Sequence, residues 1–352
     1  MWQLDNRTPF AAERSWVRDR DGAEIWLVAV KCTFGIKPDG GTEIATEQPP
    51  IVMAPEYMNP ALPGQSSLRY DSDMVRTKTT TDVVVVGHAY APRKKPVREL
   101  DVGFRIGPLV KQLHITGDRI WLGGSPSEPL PFTKLPLVYE RAYGGYDRAT
   151  LNTASPEWDA RNPVGIGFAV SASSAGGQRL PNVEYRDQLI RSWRDRPRPA
   201  GFGPIGAHWQ PRGKLAGTYD DEWQQERFPL LPDDFDDRHY QCVPSDQQAR
   251  KFLTGGETVR LVNLTPAGIL DFRLPRLFLG FETSFYTGER EIHDRPKLHT
   301  VIIEPDFPRV SLVWHSALPC HPKVLKLKET RIFQKQLLSR RGPEDDSEEE
   351  AA

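Results

Sequence analysis

Hydrophobic and polar residues alternate along much of the chain with the two-residue period of a β-strand. Leu100, Val102, Phe104 and Ile106 alternate with polar or small residues, which predicts a strand with one buried face. Residues 79–86 instead form a β-branched run that ends at a glycine. Such a run is expected for a strand that is covered on both faces. Both patterns indicate a chain built on β-sheets.

Turn sequences between apolar segments predict several hairpins. An Asp-Gly pair at residues 21–22 separates the segments 16–20 and 24–34, and it favours the positive φ angles of a two-residue turn. Further strands are predicted at residues 257–264, 268–274, 298–304, 310–315 and 324–333. The predicted fold is therefore mainly β, with antiparallel sheets in a sandwich or barrel-like arrangement. A few short helices and long ordered loops rich in proline and glycine complete it.

The centre of the chain, from about residue 143 to 246, loses this periodicity and is rich in glycine, proline, arginine, aspartate and aromatic residues. A structureless loop of this length is uncommon in a compact domain, so we expect an ordered segment packed on the sheets. Short helices are predicted at residues 183–192, 220–227 and 246–253, the last with Ser245 as its N-cap. The predicted organisation is one β-rich domain over residues 1–341, with a weak division near 143–200.

Charge separates the body of the chain from its C-terminus. The net charge is −1, but six carboxylates lie within residues 344–350, so the rest of the chain is mildly basic. Its basic residues are scattered, which argues against nucleic acid or an anionic membrane as a partner. The acidic stretch has no apolar residue to bury, and we expect residues 342–352 to form a disordered tail.

The cysteines and the N-terminus indicate a cellular compartment. Cys32, Cys242 and Cys320 are widely spaced and odd in number, which favours three free thiols in a reducing compartment over a disulfide framework. The N-terminal residues carry early charge and lack the apolar stretch of a signal peptide. No segment approaches the roughly 18 uncharged apolar residues that a membrane span needs. We therefore expect a cytoplasmic protein.

The sequence contains no arrangement that predicts catalysis. A run of four aspartates lacks the EF-hand spacing, so a solvated or arginine-paired loop is favoured over a carboxylate site. These aspartates are Asp233, Asp234, Asp236 and Asp237. The glycines of GFGPIG at residues 201–206 lack the lysine of a phosphate loop. Two pairs of potential zinc ligands lie far apart without a C-x-x-C core: His239 with Cys242, and Cys320 with His321. We expect no catalytic residue, no metal and no cofactor.

A set of aromatic and arginine residues is suited to contact with another protein. Tyr219, Trp223 and Arg227 have i, i+4 and i+8 spacing, which places them on one face if the segment is helical. Trp209 and Phe235 lie in the same segment, and tryptophan, tyrosine and arginine are enriched at interface hot spots. These five residues are our predicted partner-binding residues. A tryptophan at helical spacing is more often a core residue, and that alternative stays open.

Long motifs of the chain resemble a bacterial family of domains of unknown function. The most distinctive begin at residue 201, GFGPIGAHWQPRGKLAGTYDDEWQQERFPLLPDDFDDRHYQCVPSDQQ and LTGGETVRLVNLTPAG, and are preceded by SDMVRTKTTTDVVVVGHAYAP, RAYGGYD and NPVGIGF. Members of the family look like type VI secretion adaptors, or chaperones, that hand toxic effectors to the VgrG spike. The resemblance extends to about residue 333 and supplies no catalytic residue. The chain departs from the family pattern after Lys78, where a proline is expected, and at His299-Thr300, where an Asp-Thr pair is expected.

The resemblance implies a non-catalytic adaptor that binds one type VI secretion effector and one VgrG-type spike. Two other classes of function stay open. A carbohydrate-active or other hydrolytic enzyme would use the carboxylates between Asp233 and Asp237 and stack sugars on the tryptophans. A structural component of the secretion apparatus would leave the cell with the spike, whereas an adaptor would remain in the cytoplasm.

Overall fold

The computed structural model describes residues 2–122 and 124–335, and it confirms the mainly β fold. Within these residues the strands form sheets of six, five and four strands and four two-stranded pairs. The two-stranded pairs are Glu56–Tyr57 with Leu68–Tyr70, His88–Tyr90 with Lys134–Pro136, Trp121–Leu122 with Ser125–Pro126, and Tyr143–Gly144 with Ile166–Gly167. The acidic tail predicted at residues 342–352 lies outside the described residues.

The six-stranded sheet is built around strand Glu24–Ile36, most of whose side chains are buried. Its strands follow in space as Ala11–Arg18, Glu24–Ile36, Arg309–Pro319, Lys297–Glu304 and Asp82–Val85, with Thr42–Ile44 paired to Glu24–Ile36. The predicted β-branched run is confirmed as Asp82–Val85, which is buried throughout and runs parallel to its neighbour. The first hairpin is also confirmed, but its turn is a five-residue loop in which the Asp19 carboxylate accepts the N–H groups of Asp21 and Ala23.

The five-stranded sheet is antiparallel throughout. In spatial order its strands are Val183–Glu184, Leu109–Thr116, Glu99–Ile106, Thr258–Val262 and Ile269–Arg273. The predicted alternation holds, because Val102, Phe104 and Ile106 are buried whereas Asp101 and Arg105 are exposed. One face of this sheet therefore covers the core.

The four-stranded sheet joins the two ends of the chain. Its strands are Gln3–Asn6, Leu327–Gln334, Leu279–Phe285 and Arg290–Ile292. The final strand was predicted from the sequence, whereas the two strands between residues 279 and 292 were not. The largest hydrophobic cluster contains side chains from all three sheets, among them Trp26, Phe104 and Phe281. A smaller cluster beneath residues 143–200 contains Trp121, Tyr143 and Ile190.

The described helices are short, and two of the three predicted ones are wrong. The α-helices are Ala172–Ala175 and Asp221–Glu226, and the 3₁₀ turns are Pro92–Lys94, Tyr139–Arg141, Arg212–Ala216, Asp237–Tyr240, Ser245–Gln247 and Val324–Lys326. The helix predicted at 183–192 is replaced by strand Val183–Glu184 and turns. The helix predicted at 246–253 is replaced by a single 3₁₀ turn.

Tertiary hydrogen bonds explain the second of these failures. The side chain of Gln247 donates to the carbonyls of Val83 and Phe202, and the N–H of Leu253 donates to the hydroxyl of Thr81. The N–H of Ala249 also donates to the carbonyl of Thr81, so two backbone N–H groups that a continuing helix would use within the segment are bound outside it. The helix predicted at 220–227 is confirmed as Asp221–Glu226, one residue shorter at each end.

Candidate functional site

Three aromatic rings form an exposed surface at helix Asp221–Glu226. The ring centroids of Tyr219 and Trp223 lie 4.7 Å apart, and those of Trp223 and Phe228 lie 5.7 Å apart, both in edge-to-face geometry. Tyr219 is 51% exposed and Phe228 is 66% exposed. We call these three residues the aromatic surface. Contiguous exposed aromatic groups of this kind are typical of protein interfaces.

The chain around the aromatic surface is held by hydrogen bonds to the backbone. The carboxylate of Asp220 caps the helix by accepting the N–H of Trp223 at 2.9 Å, and the indole N–H of Trp223 donates to the carbonyl of Leu230 at 2.9 Å. The guanidinium of Arg227 donates to the carbonyls of Leu231 and Arg20, at 3.1 and 3.0 Å. Arg227 therefore fastens the segment to the first hairpin, whereas of its predicted neighbours Tyr219 is exposed and Trp223 is partly buried.

The structure separates the five predicted partner-binding residues into two groups. Trp209 is only 2% exposed and packs edge-to-face against Tyr139 with 5.4 Å between ring centroids. Phe235 is also buried and packs against His239 and Tyr240. These two residues therefore lie in the packed interior, and direct contact between either of them and a partner stays a prediction.

Phe228 belongs to the aromatic surface but was not among the predicted residues. It lies one residue beyond the i+8 position and just before Pro229, so helical spacing does not point to it. The adjacent proline was the available signal, because a residue before proline leaves the helical region and can turn its side chain away from the helix.

The aspartates between residues 233 and 237 each have a partner of their own. The pairs are Asp233 with Arg227, Asp234 with Thr218, Asp236 with Arg238, and Asp237 with Arg76. The backbone N–H and hydroxyl of Thr218 lower the pKa of Asp234, and hydrogen bonds from Arg238 lower the pKa of Asp236. A lowered pKa favours the ionised form at neutral pH, whereas a general acid for glycoside hydrolysis needs a raised one.

A cavity of about 520 Å³ lies beside these segments, between the 3₁₀ turn Arg212–Ala216 and the 3₁₀ turn Ser245–Gln247. Four arginines contribute to its rim, namely Arg161, Arg198, Arg212 and Arg238. Most of its wall is apolar and is formed by Pro199, Ile205, Pro211, Leu215, Val243 and Pro244. Tyr139, Gln210 and Asp246 contribute polar groups. We call it the arginine-rimmed cavity. Its size and apolar lining are those of a binding pocket.

Two glycines of the 201–206 motif allow the rings beneath the cavity to pack. A Cβ atom on Gly201 would lie 2.6 Å from Cζ of Tyr139, and a Cβ atom on Gly206 would lie 2.7 Å from Nε1 of Trp209. Both distances are too short for any side chain. The motif that superficially resembles a phosphate loop therefore has a packing function, which is to let Tyr139 and Trp209 lie against the backbone.

A buried polar network supports one wall of the cavity. The ammonium of Lys111 donates to the Asp246 carboxylate at 2.9 Å and to the side-chain oxygen of Gln247 at 2.7 Å. The hydroxyl of Tyr185 donates to the same carboxylate at 2.7 Å. Burial lowers the pKa of Lys111 to about 8, although Asp246 opposes that shift. The guanidinium of Arg198 lies over the Tyr185 ring at 4.3 Å, so the network also orients this arginine.

The four potential zinc ligands do not converge. Cys242 is buried, with its sulfur 3.4 Å from the Lys78 ammonium, and Cys320 is buried with its sulfur 3.6 Å from the carbonyl of Glu24. Cys32 is buried as well. In residues 2–122 and 124–335, no three histidine, cysteine or acidic side chains come together as a metal site would require.

The departure from the family pattern at residue 299 also lies in the interior. The rings of His299 and His315 stack with 4.0 Å between their centroids. Burial lowers the pKa of His315 to about 3. Both residues are therefore packed core residues that favour the neutral form.

Comparison with known proteins gives one match. A family model described as an uncharacterized protein conserved in bacteria, DUF2169, matches residues 21–315. No curated protein and no solved structure matches the chain. No helix in the described part of the chain is long and apolar enough to cross a membrane.

Proposed function

The chain belongs to the bacterial family DUF2169, and we propose that it is a non-catalytic adaptor that binds a type VI secretion effector and helps to load it onto the VgrG spike. The aromatic surface is the observation that carries the proposal. Tyr219 and Phe228 expose about half or more of their area beside Trp223, on a segment that hydrogen bonds hold in place. A rigid exposed aromatic group supplies contact area without the entropic cost of ordering a loop when the partner binds.

The state of the aspartate loop supports an adaptor over a hydrolase. Its four carboxylates are engaged by Arg227, Thr218, Arg238 and Arg76, and the pKa values of Asp234 and Asp236 are lowered. Breaking these contacts to protonate a substrate would remove the interactions that order the loop. An adaptor needs shape and stability at this place, which the ion pairs provide.

Co-purification and fractionation test this proposal together. The tagged full-length chain should co-purify with a toxin and a spike protein encoded beside its gene, and it should remain in the cytoplasm while the toxin leaves the cell. Neither protein should be chemically altered after incubation with the chain. Release of the chain together with the spike would instead indicate a structural component, and the absence of both partners from the purified material would contradict the adaptor.

A further inference from the structure

Two buried polar atoms that lack a hydrogen-bond partner among the described residues belong to residues that line the arginine-rimmed cavity. They are the hydroxyl of Tyr139, a residue only 2% exposed, and the side-chain oxygen of Gln210. A buried polar group without a partner costs about 1–3 kcal/mol, so folded proteins keep few of them. Two such atoms on residues that line one cavity indicate a place where a ligand completes the hydrogen bonding.

The two atoms require complementary partners. The tyrosine hydroxyl can donate a hydrogen bond, whereas the carboxamide oxygen accepts one. An extended peptide offers both, because each non-proline residue carries one N–H donor and one C=O acceptor. A partner's backbone carbonyl can therefore accept from Tyr139 while a neighbouring N–H donates to Gln210.

The charges at the rim favour an acidic ligand. Three of the four arginines already have carboxylate partners, in the pairs Arg161 with Asp159, Arg212 with Asp71 and Arg238 with Asp236, all within 2.7 Å. Arg198 differs, since its ion pair with Asp187 is 4.0 Å long. Stacking on Tyr185 holds its guanidinium beside the cavity. This guanidinium is pre-oriented for an incoming carboxylate.

The wall of the cavity specifies the remaining feature of the ligand. The wall presents an apolar, conformationally stiff surface, formed by prolines 199, 211 and 244 and by the side chains of Ile205, Leu215 and Val243. Such a surface gains free energy when it receives an apolar side chain.

We propose that the arginine-rimmed cavity binds an extended segment of a partner protein in which a large apolar side chain lies next to a carboxylate. The apolar side chain enters among the prolines, the carboxylate pairs with Arg198, and the backbone satisfies Tyr139 and Gln210. The inference rests on the proposed function only in taking the ligand from a partner protein, and it assigns a second contact region besides the aromatic surface.

An array of random hexapeptides, acetylated and amidated at their ends, tests the proposal with the full-length chain as the probe. We expect enrichment of peptides with aspartate or glutamate beside leucine, isoleucine or phenylalanine. The tightest peptide is then resynthesised with glutamine or asparagine replacing its acid, once with an amidated and once with a free C-terminus. If the peptide with the free C-terminus recovers the lost affinity, the Arg198 contact is made by a terminal carboxylate rather than by a side chain.

Calorimetric titration of variants with the same peptide locates its binding site. Tyr139→Phe should weaken binding about threefold to tenfold, the effect of one hydrogen bond, while leaving the melting temperature unchanged or higher because it removes an unpaired hydroxyl. Arg198→Gln should weaken binding at least tenfold and reduce its dependence on salt. Arg105→Gln, an exposed arginine on the five-stranded sheet and outside the cavity lining, is the matched control and should change neither quantity.

Two results would overturn the inference. One is an array without acidic enrichment, and the other is a selected peptide that binds Tyr139→Phe and Arg198→Gln as tightly as the unaltered chain. Either result can occur while toxin and spike still co-purify with the chain, which would leave the proposed function standing. Loss of co-purification with intact peptide binding would instead count against the proposed function.

Discussion

The aromatic surface and the arginine-rimmed cavity are neighbours in the sequence but differ in how their aromatic residues are used. At the aromatic surface, Tyr219 and Phe228 are exposed and the ordering comes from backbone hydrogen bonds. Beneath the cavity, Trp209 and Tyr139 are almost fully buried, and glycines allow them to pack. The aromatic residues of this part of the chain are thus exposed in one region and packed in the interior in another.

This difference predicts separable effects of substitution. Changes beneath the cavity should lower the free energy of unfolding, because they leave space or force atoms apart in a packed region. Changes at the aromatic surface should affect association instead, since the exposed rings have few neighbours to lose.

Replacement of Trp209 should have the largest effect on stability. Trp209→Ala removes a buried indole and should lower the free energy of unfolding by about 3–5 kcal/mol, measured by urea denaturation. Trp158→Ala is the matched control, because Trp158 is partly exposed and stacks on Tyr146 alone among the aromatic rings. Equal losses for the two variants would contradict the structural role assigned to Trp209.

Replacement of Gly206 should have the next largest effect. In Gly206→Ala the new Cβ would meet the Trp209 indole at 2.7 Å, so overpacking should cost about 1–3 kcal/mol. Gly203→Ala in the same motif is the control, because the nearest atom to its Cβ is the carbonyl oxygen of Leu68 at 3.8 Å. A Gly206→Ala protein as stable as Gly203→Ala would show that the indole can move aside.

Arg227 supports the aromatic surface through hydrogen bonds to backbone carbonyls. Arg227→Ala removes its hydrogen bonds to the carbonyls of Leu231 and Arg20 and should lower the free energy of unfolding by about 2 kcal/mol. Arg227→Lys should recover little, because an ammonium cannot span both carbonyls as the planar guanidinium does. Full stability of Arg227→Ala in thermal unfolding would contradict the supporting role of these hydrogen bonds.

The buried ammonium beside the cavity predicts a dependence of stability on pH. The pKa of Lys111 is lowered to about 8 by burial, whereas an unfolded lysine titrates near 10.4. Between these values the unfolded chain binds more protons at this residue, so stability should rise with pH by up to about 1.4 kcal/mol per unit. Lys111→Met should lack this rise in urea titrations between pH 8 and 9.5, and equal slopes for both proteins would refute the assignment.

Local patterns predicted several long strands, but the seven-residue strand Leu279–Phe285 was missed. The alternation at 100–106 and the β-branched run at 79–86 led to the observed strands, because a strand in a sheet repeats its environment every two residues. The short strand Arg290–Ile292 was missed since three residues carry too little pattern. The helix predicted at 246–253 failed because the backbone N–H groups of Ala249 and Leu253 donate to Thr81 instead of to helical carbonyls.

The candidate site was predictable only in part, because some of its features depend on contacts between residues that are distant in the sequence. Helical spacing found Tyr219 and Trp223, whose environment depends on a local element. It could not distinguish them from Trp209, because burial of that indole depends on Tyr139, which lies 70 residues away in the sequence. The Tyr139 hydroxyl, which has no partner among the described residues, and the stacking of the Arg198 guanidinium on Tyr185 likewise follow only from tertiary packing.

The most direct test of the adaptor proposal measures folding and association for one exposed ring. Phe228→Ala should leave the melting temperature of the full-length chain unchanged and weaken binding to the co-purifying toxin or spike by about 2 kcal/mol, roughly thirtyfold. Phe307→Ala, an equally exposed phenylalanine in the turn between two strands of the six-stranded sheet, should change neither quantity. Unaltered affinity of a correctly folded Phe228→Ala protein for both partners would contradict the assignment of the aromatic surface as the adaptor's contact with its partner.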